Sequence, residues 1–362
     1  MVAGTGQKTG KGLRRGLWIA AGLAAAIAAL AIYRLRTTGF QWNLFFQTFL
    51  SVDWRWLAGS ILLMLLTYVG RALRWEVMLR PLRPKPNLAK LCSATVIGFT
   101  AVVLLGRAGE VVRPYLIAVK EHVTFTSQMA AWLLERIFDL LVVLAIFGVA
   151  LTSIPPGLPL GSALRWVLHA GGFLIAGIAA VCLFFLIVFR NFSEPAERRI
   201  LSALTFLPER YYARVEKTLK AFIHGLQSTR HHGFLALLVF YTAVEWALIV
   251  GAYVCLFRCI PATAAFGLHE TVIFVGFVSF GSIVQIPGIG GGIQVASIVV
   301  LTEIFGLTLE TATGAAILIW LLTWVIIVPF GLGFAFHEGL TWNRFKHLPE
   351  DVGELPPGDL AQ

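Results

Sequence analysis

The sequence predicts an all-α fold, a polytopic bundle of membrane-crossing helices, and three observations predict it. Of 362 residues, 58% are hydrophobic and only 13% are Asp, Glu, Lys or Arg, against about 25% charged in an ordinary soluble domain. Apolar runs of about 20 residues, long enough to cross hydrocarbon at 1.5 Å per residue, recur along the chain. Lys and Arg collect in alternate connections, as they do in cytoplasmic loops. The expected architecture is about six full spans plus two broken re-entrant helical hairpins in an inverted repeat. A soluble enzyme is excluded, because too little polar surface is present to solubilise so much apolar material. Disordered, collagen-like and disulfide-framework classes fail too, with no Gly period, a high apolar content and four cysteines.

Taken in order, residues 1–15 form a basic N-terminal segment with Lys8, Lys11, Arg14 and Arg15. The apolar run 16–35 is too long for a typical signal-peptide core, so an uncleaved anchor is expected. Further spans are expected at 56–79, 125–151, 165–189, 233–257 and 310–336, within a membrane domain covering 16–340. Two stretches, 88–119 and 268–307, are interrupted. The first breaks at Gly106-Arg107-Ala108-Gly109-Glu110, the second at Gln285-Ile286-Pro287-Gly288-Ile289-Gly290-Gly291-Gly292.

Orientation follows the cations. Arg80, Arg83, Lys85 and Lys90 follow the second span and eight basic residues lie in 190–232, whereas the connection 152–164 carries no charge. The N-terminus and C-terminus are therefore expected in the cytoplasm of a multi-pass protein of the cell (inner) membrane, with 152–164 outside. Within 190–232, Tyr211, Val215, Leu219, Phe222, Ile223 and Leu226 share one helical face, the pattern of an amphipathic helix on an anionic leaflet. The tail 341–362, with Pro356, Pro357 and several acids, reads as a disordered cytoplasmic end. The net charge of +10 suits anionic lipid rather than nucleic acid.

This orientation makes the two broken stretches enter from opposite faces. A span, a broken hairpin and a span then recur upside down, and Ile97-Gly98-Phe99 and Val275-Gly276-Phe277 open the two hairpins. Paired interruptions in inverted halves point to a transporter's midplane site.

The candidate binding residues lie at those breaks and in the charged spans. Glu135, Arg136 and Asp139 fall well inside the third of these spans on about a 100° arc; each charge at the bilayer centre costs roughly 2.5–3.5 kcal/mol, so they must face protein or water. They line a substrate path or form a structural ion pair between helices. Arg107, Gly109, Glu110 and Arg113 combine glycine, for close backbone approach, with guanidiniums that bind phosphate in a bidentate fashion; the competing account is a positive-inside loop with a tight turn. Gln285, Pro287, Gly288, Gly290, Gly291 and Gln294 place irregular backbone at membrane depth, which survives only where buried or lining a cavity. Glu245, midway along its span, is a proton-coupling carboxyl or the counter-ion of an arginine on another helix. Arg71 and Arg74 are expected as headgroup-facing interface anchors. The glycines near the N-terminus lack P-loop spacing, and Cys255 and Cys259 have no histidine support, so no nucleotide, metal or other cofactor is expected.

Arg71-Ala72-Leu73-Arg74-Trp75, Gly106 to Arg113, Glu135-Arg136-Ile137-Phe138-Asp139 and Pro287-Gly288-Ile289-Gly290-Gly291, in this order and spacing over residues 50–340, resemble the lysylphosphatidylglycerol synthase transmembrane-domain family of flippase-like proteins. The resemblance implies a multi-pass domain that in its best-known relatives moves aminoacylated phosphatidylglycerol across the membrane. Those relatives append a soluble aminoacyl-transfer domain, so this chain is expected to be the translocase half without synthase activity. The family pattern places a Glu shortly after the second Gly-rich break, where this sequence has Gln294, which leaves the substrate's charge open.

The expected function is translocation of an anionic phospholipid or lipid-linked intermediate, with membrane lipids or a polyprenyl-linked lipid as partners. The other expected partners are a second copy of the chain, in a homo-oligomer, or a separate lipid-modifying enzyme. The alternative is a membrane enzyme or accessory subunit acting on lipid-linked glycans. In the carrier, Arg107 and Arg113 would hold the headgroup phosphate, and Arg113→Ala or Asp139→Ala is expected to abolish transfer without unfolding the chain.

Overall fold

The computed structural model describes residues 39–153, 232–282, 285–286 and 290–340, with scattered positions between 171 and 220. The expected spans 16–35 and 165–189, the amphipathic segment in 190–232 and the tail 341–362 lie largely or wholly outside the described residues. Within them the chain is a helix bundle, and it is a multi-pass membrane protein.

A short helix α1 (Trp42–Leu50) precedes α2 (Trp54–Leu79). Asp53 caps α2 by accepting the Arg55 N–H at 2.9 Å, and the helix's 26 residues reach about 39 Å, enough to cross a bilayer. The first hairpin is α3 (Leu88–Leu105), a 3-10 turn (Gly106–Val111) and α4 (Val112–Glu121). Next comes α5 (Phe125–Ser153), the charged span, then α6 (His232–Cys259). The second hairpin is α7 (Leu268–Gly281), a two-residue antiparallel bridge pairing Gln285 with Gly291 and Ile286 with Gly290, and α8 (Gly292–Glu303). The long helix α9 (Leu309–His337) closes the bundle.

By length and hydropathy alone, 88–121 is also long enough to cross as one 34-residue rod. Its hydrogen bonds say otherwise. The Asn87 N–H donates to Glu121 Oε1 at 3.2 Å, Lys90 Nζ to the Lys120 carbonyl at 3.2 Å and Lys120 Nζ to Ser93 Oγ at 2.8 Å. The two ends therefore meet, and the segment is a hairpin. Gly106, at φ 66°, starts the reversal, a conformation that glycine adopts without steric cost. The second hairpin closes in the same way: Phe266 and Phe305, flanking its open end, have ring centroids 4.7 Å apart, while Gly281 lies directly against Gly292 near the tip.

The two hairpins enter from opposite ends. Arg83, just beyond α2, pairs with Glu121 at 2.7 Å, and Glu338, just beyond α9, pairs with Lys120 at 2.6 Å, so the open end of the first hairpin shares one end of the bundle with the C-terminal ends of α2 and α9. At the other end the Asp53 N–H donates to the Cys259 carbonyl at 2.9 Å, beside the open end of the second hairpin. Each end has its own hydrophobic core. Leu79, Leu91, Ile117, Leu134 and Leu238 fill the first; Leu57, Phe257, Phe274, Leu301 and Ile319 fill the second.

Packing obeys the inverted repeat. Exchanging α2 with α6, α3 with α7, α4 with α8 and α5 with α9 turns the α3–α9 contact into the α7–α5 contact, and leaves the most extensive contact, α2 on α6, unchanged. The two textual markers serve different contacts, however. Gly98 makes room for Arg113 of its own hairpin, whereas Gly276 makes room for Phe147 and Ala150 of α5.

Candidate functional site: an ion network beside two hairpin tips

The spacing of α2 sets the site. Arg71, Arg74 and Trp75 fall at i, i+3 and i+4, one face of the helix, and that face turns inward. Arg74 is 1% exposed and Trp75 0%, so the expectation of interface anchors is corrected: Arg74 is interior and Arg71 largely so. The reason is that three carboxylates from other helices reach this face. Arg74 donates to Glu135 Oε1 at 2.5 Å, to Asp139 Oδ1 at 2.7 Å and to Thr242 Oγ1 at 3.2 Å; its Nη1 lies 3.4 Å from Glu245.

Glu135 is the hub. Besides Arg74 it accepts from Trp75 Nε1 at 2.7 Å and from Arg113 Nη2, with Arg136 at 3.5 Å and Arg71 at 4.0 Å. Asp139 also pairs with Arg136 at 3.2 Å. Glu245 on α6, which has no cation near it in sequence, is the counter-ion of Arg71 at 2.8 Å. Phe99 lies between two of the cations, with the Arg71 guanidinium 4.5 Å and the Arg113 guanidinium 5.1 Å from its ring centre. A ring face is negative, so it eases the approach of like charges.

The network thus joins four guanidiniums, Arg71, Arg74, Arg113 and Arg136, to three carboxylates, Glu135, Asp139 and Glu245. It carries one net positive charge. A buried ion group is tolerated only where each charge is compensated. The surplus sits on the more accessible members, the Arg136 side chain being 37% and the Arg71 side chain 15% exposed against 1% for Arg74.

Arg107 and Arg113, expected to form one clamp, are separated. Arg113 points into the network, while Arg107 stays at the hairpin tip, pairing with Glu110 at 2.5 Å and donating to the Ser282 carbonyl at 2.8 Å. The intervening turn sends their side chains in different directions. The Arg107 contact joins the two hairpins, since Ser282 ends α7. Gly109 lets the turn fold onto α3, where an added Cβ would lie 2.3 Å from the Ala101 backbone. In the second tip, Gln285 pairs in the bridge with Gly291, and Gly290 with Ile286. Gln294 accepts the Gly291 N–H at 2.7 Å through its side chain, so a neutral amide caps α8 at the position where a Glu was expected. Pro287 and Gly288 lie outside the described residues.

Sequence reasoning passed over Trp75 as a ligand of Glu135, and over Thr242 and Phe99. A usable signal existed on α2, where polar residues recur on one stripe of an otherwise apolar span at 67, 71 and 74. Nothing in sequence marks Phe99 as a partner of two arginines. It also leaves a cavity of about 150 Å³ unannounced, between α2, α6 and α9 with Arg71 at its wall.

Residues 18–331 match the family described as lysylphosphatidylglycerol synthase TM region. This chain belongs to that family. It is also similar to the glycosyltransferase AglD of Haloferax volcanii, with 27% identity over 143 residues, 39% of this chain and 22% of that protein. The match therefore spans about a fifth of that relative's length. No solved structure matches. The family places the chain among multi-pass membrane proteins that carry this transmembrane region.

Proposed function

We propose that this protein is a flippase-like carrier that moves the anionic headgroup of a phospholipid or lipid-linked intermediate across the cell membrane, with both termini cytoplasmic. The observation that carries the proposal is the meeting of two hairpin tips, inserted from opposite ends, beside a buried ion network with one surplus positive charge. Half-helices that meet at mid-depth supply a polar route while the acyl chains stay in lipid. The surplus guanidinium charge on Arg136 and Arg71 receives the headgroup phosphate, and the compensated interior keeps the route from trapping it.

The test is leaflet redistribution of labelled lipid in proteoliposomes. Arg136→Gln and Arg107→Gln change partly exposed cations, and each is expected to slow headgroup transfer at least tenfold while the protein stays folded and monodisperse. Transfer at the parental rate in both would sink the assignment. The second reading, a membrane enzyme or accessory subunit acting on lipid-linked glycans, is favoured by the likeness to a glycosyltransferase. Purified protein given labelled lipid extract separates them: a new covalent product marks the enzyme, redistribution without product marks the carrier, and neither marks the accessory subunit.

A further inference from the structure

The cavity between α2, α6 and α9 takes no part in the ion network, yet one residue belongs to both. Its wall includes Met64, Thr67, Tyr68, Arg71, Tyr253 and Thr323. Along α2 the positions 64, 67, 68 and 71 form one stripe, so cavity and network occupy successive stretches of the same helix face. Arg71 stands where they join. Its guanidinium rests on Phe99 and is held toward the network by Glu245, which is 0% exposed and meets Arg71 at 2.8 Å.

The chemistry of the wall narrows the occupant. Thr67 Oγ1 donates to the Met64 carbonyl at 2.6 Å and Thr323 Oγ1 to the Ile319 carbonyl at 3.1 Å. With their protons committed, both hydroxyls offer acceptor lone pairs. Tyr68 and Tyr253 add aromatic surface. Acceptors beside a guanidinium suit a ligand that carries hydroxyl donors next to a phosphate. A choline-type headgroup has no such donors.

We propose that this cavity holds the hydroxyl-bearing headgroup of an anionic lipid phosphodiester, and that Arg71 exchanges Glu245 for the ligand's phosphate when the cavity fills. The proposal rests on the carrier assignment for its ligand class. Glycerol-headed phospholipids and isoprenyl-phosphate sugars share this chemistry, and the experiment has an arm for each. Occupation leaves Glu245 with Arg74, which is 3.4 Å away, so the displaced carboxylate keeps a partner.

The full-length protein in detergent is titrated by native mass spectrometry with three probes: short-chain phosphatidylglycerol, a short-chain isoprenyl-phosphate monosaccharide, and short-chain phosphatidylcholine. At least one of the first two is expected to bind tenfold more tightly than the third, and which one does so identifies the source. Ala252→Leu and Thr323→Leu fill the space without touching an ion pair, and each is expected to weaken that binding at least fivefold. Glu245→Gln is expected to tighten it at least threefold, because Arg71 is then no longer neutralised; a merely structural carboxylate would not act in that direction. Where a larger side chain unfolds the bundle, Thr323→Val, of equal size, removes the acceptor alone and is expected to weaken binding. Parental affinity in a filled variant that melts normally, or equal affinity for phosphatidylcholine, overturns the proposal. Transport keeps the two claims apart: unchanged transfer in both Arg136→Gln and Arg107→Gln with cavity binding intact removes the carrier and not the site.

Discussion

Most charged side chains of the ion network have more than one charged partner, so removal of one is felt by several others. Arg74 compensates Glu135, Asp139 and Glu245 at once. Arg74→Met is therefore expected to cost about 3–5 kcal/mol, the range for leaving a buried charge without its partner, measured as loss of monodisperse protein and a lowered melting temperature. The same physics overturns the expectation that Arg113→Ala or Asp139→Ala leaves folding intact, since Arg113 is 4% and Asp139 9% exposed and both are paired. Trp75→Phe keeps the ring and removes one donor to Glu135; it is expected to cost about 1–3 kcal/mol, as for one lost bond to a charged group. A thermal shift comparing the two variants should rank Arg74→Met well below Trp75→Phe. The charges themselves were legible in sequence, because three acids and bases within one span demand company. Their partners were not, because α2, α5 and α6 are brought together from positions more than 60 residues apart.

At the level of the helices, the hairpins are held by close backbone contacts that few residues permit. An added methyl at Gly98 would lie 2.5 Å from Arg113 Cβ, and at Gly109 it would meet Ala101 backbone atoms at 2.3 Å. Backbone cannot rotate aside as a side chain can. Gly109→Ala is therefore expected to part the hairpin and cost at least about 1–3 kcal/mol, as overpacking does, whereas Gly333→Ala, where an added methyl meets nothing within 4 Å, is expected to leave the melting temperature within about 2 °C, as a ΔΔG near zero requires. Gly331→Ala probes the α3–α9 contact, where the Thr100 hydroxyl occupies the space and also donates to the Ile327 carbonyl at 2.9 Å; loss of that bond puts it between the other two. The breaks at 106–110 and 285–292 were visible as interrupted hydropathy. The turn-back of each segment followed from the distribution of the cations, which sets both ends of each broken stretch on one side; a helical pair and a single long rod have the same composition, so hydrogen bonds such as Asn87 to Glu121 are what establish it.

For the molecule as a whole, the inverted arrangement makes a prediction about sides. Single cysteines placed at Asn87 and at Ala265, next to the open ends of the two hairpins, are expected to react with an impermeant maleimide from opposite compartments in a background lacking the four native cysteines. Labelling of both from one side would dismantle the opposed hairpins and with them the carrier. By itself the sequence determined the class of solvent, the four long apolar helices among the described residues, and the places where the shorter ones break, because these depend on local composition and on the fixed rise of a helix against a bilayer. It also determined that charges inside the spans must be satisfied. Only the tertiary structure decided who satisfies them: that Arg71 and Arg74 turn inward, that Glu245 answers two arginines on α2, that Arg107 and Arg113 part company, and that a cavity opens beside Arg71. Pairing of this kind depends on which helix faces meet, and helix faces meet through packing between distant segments, which no local stretch of sequence encodes.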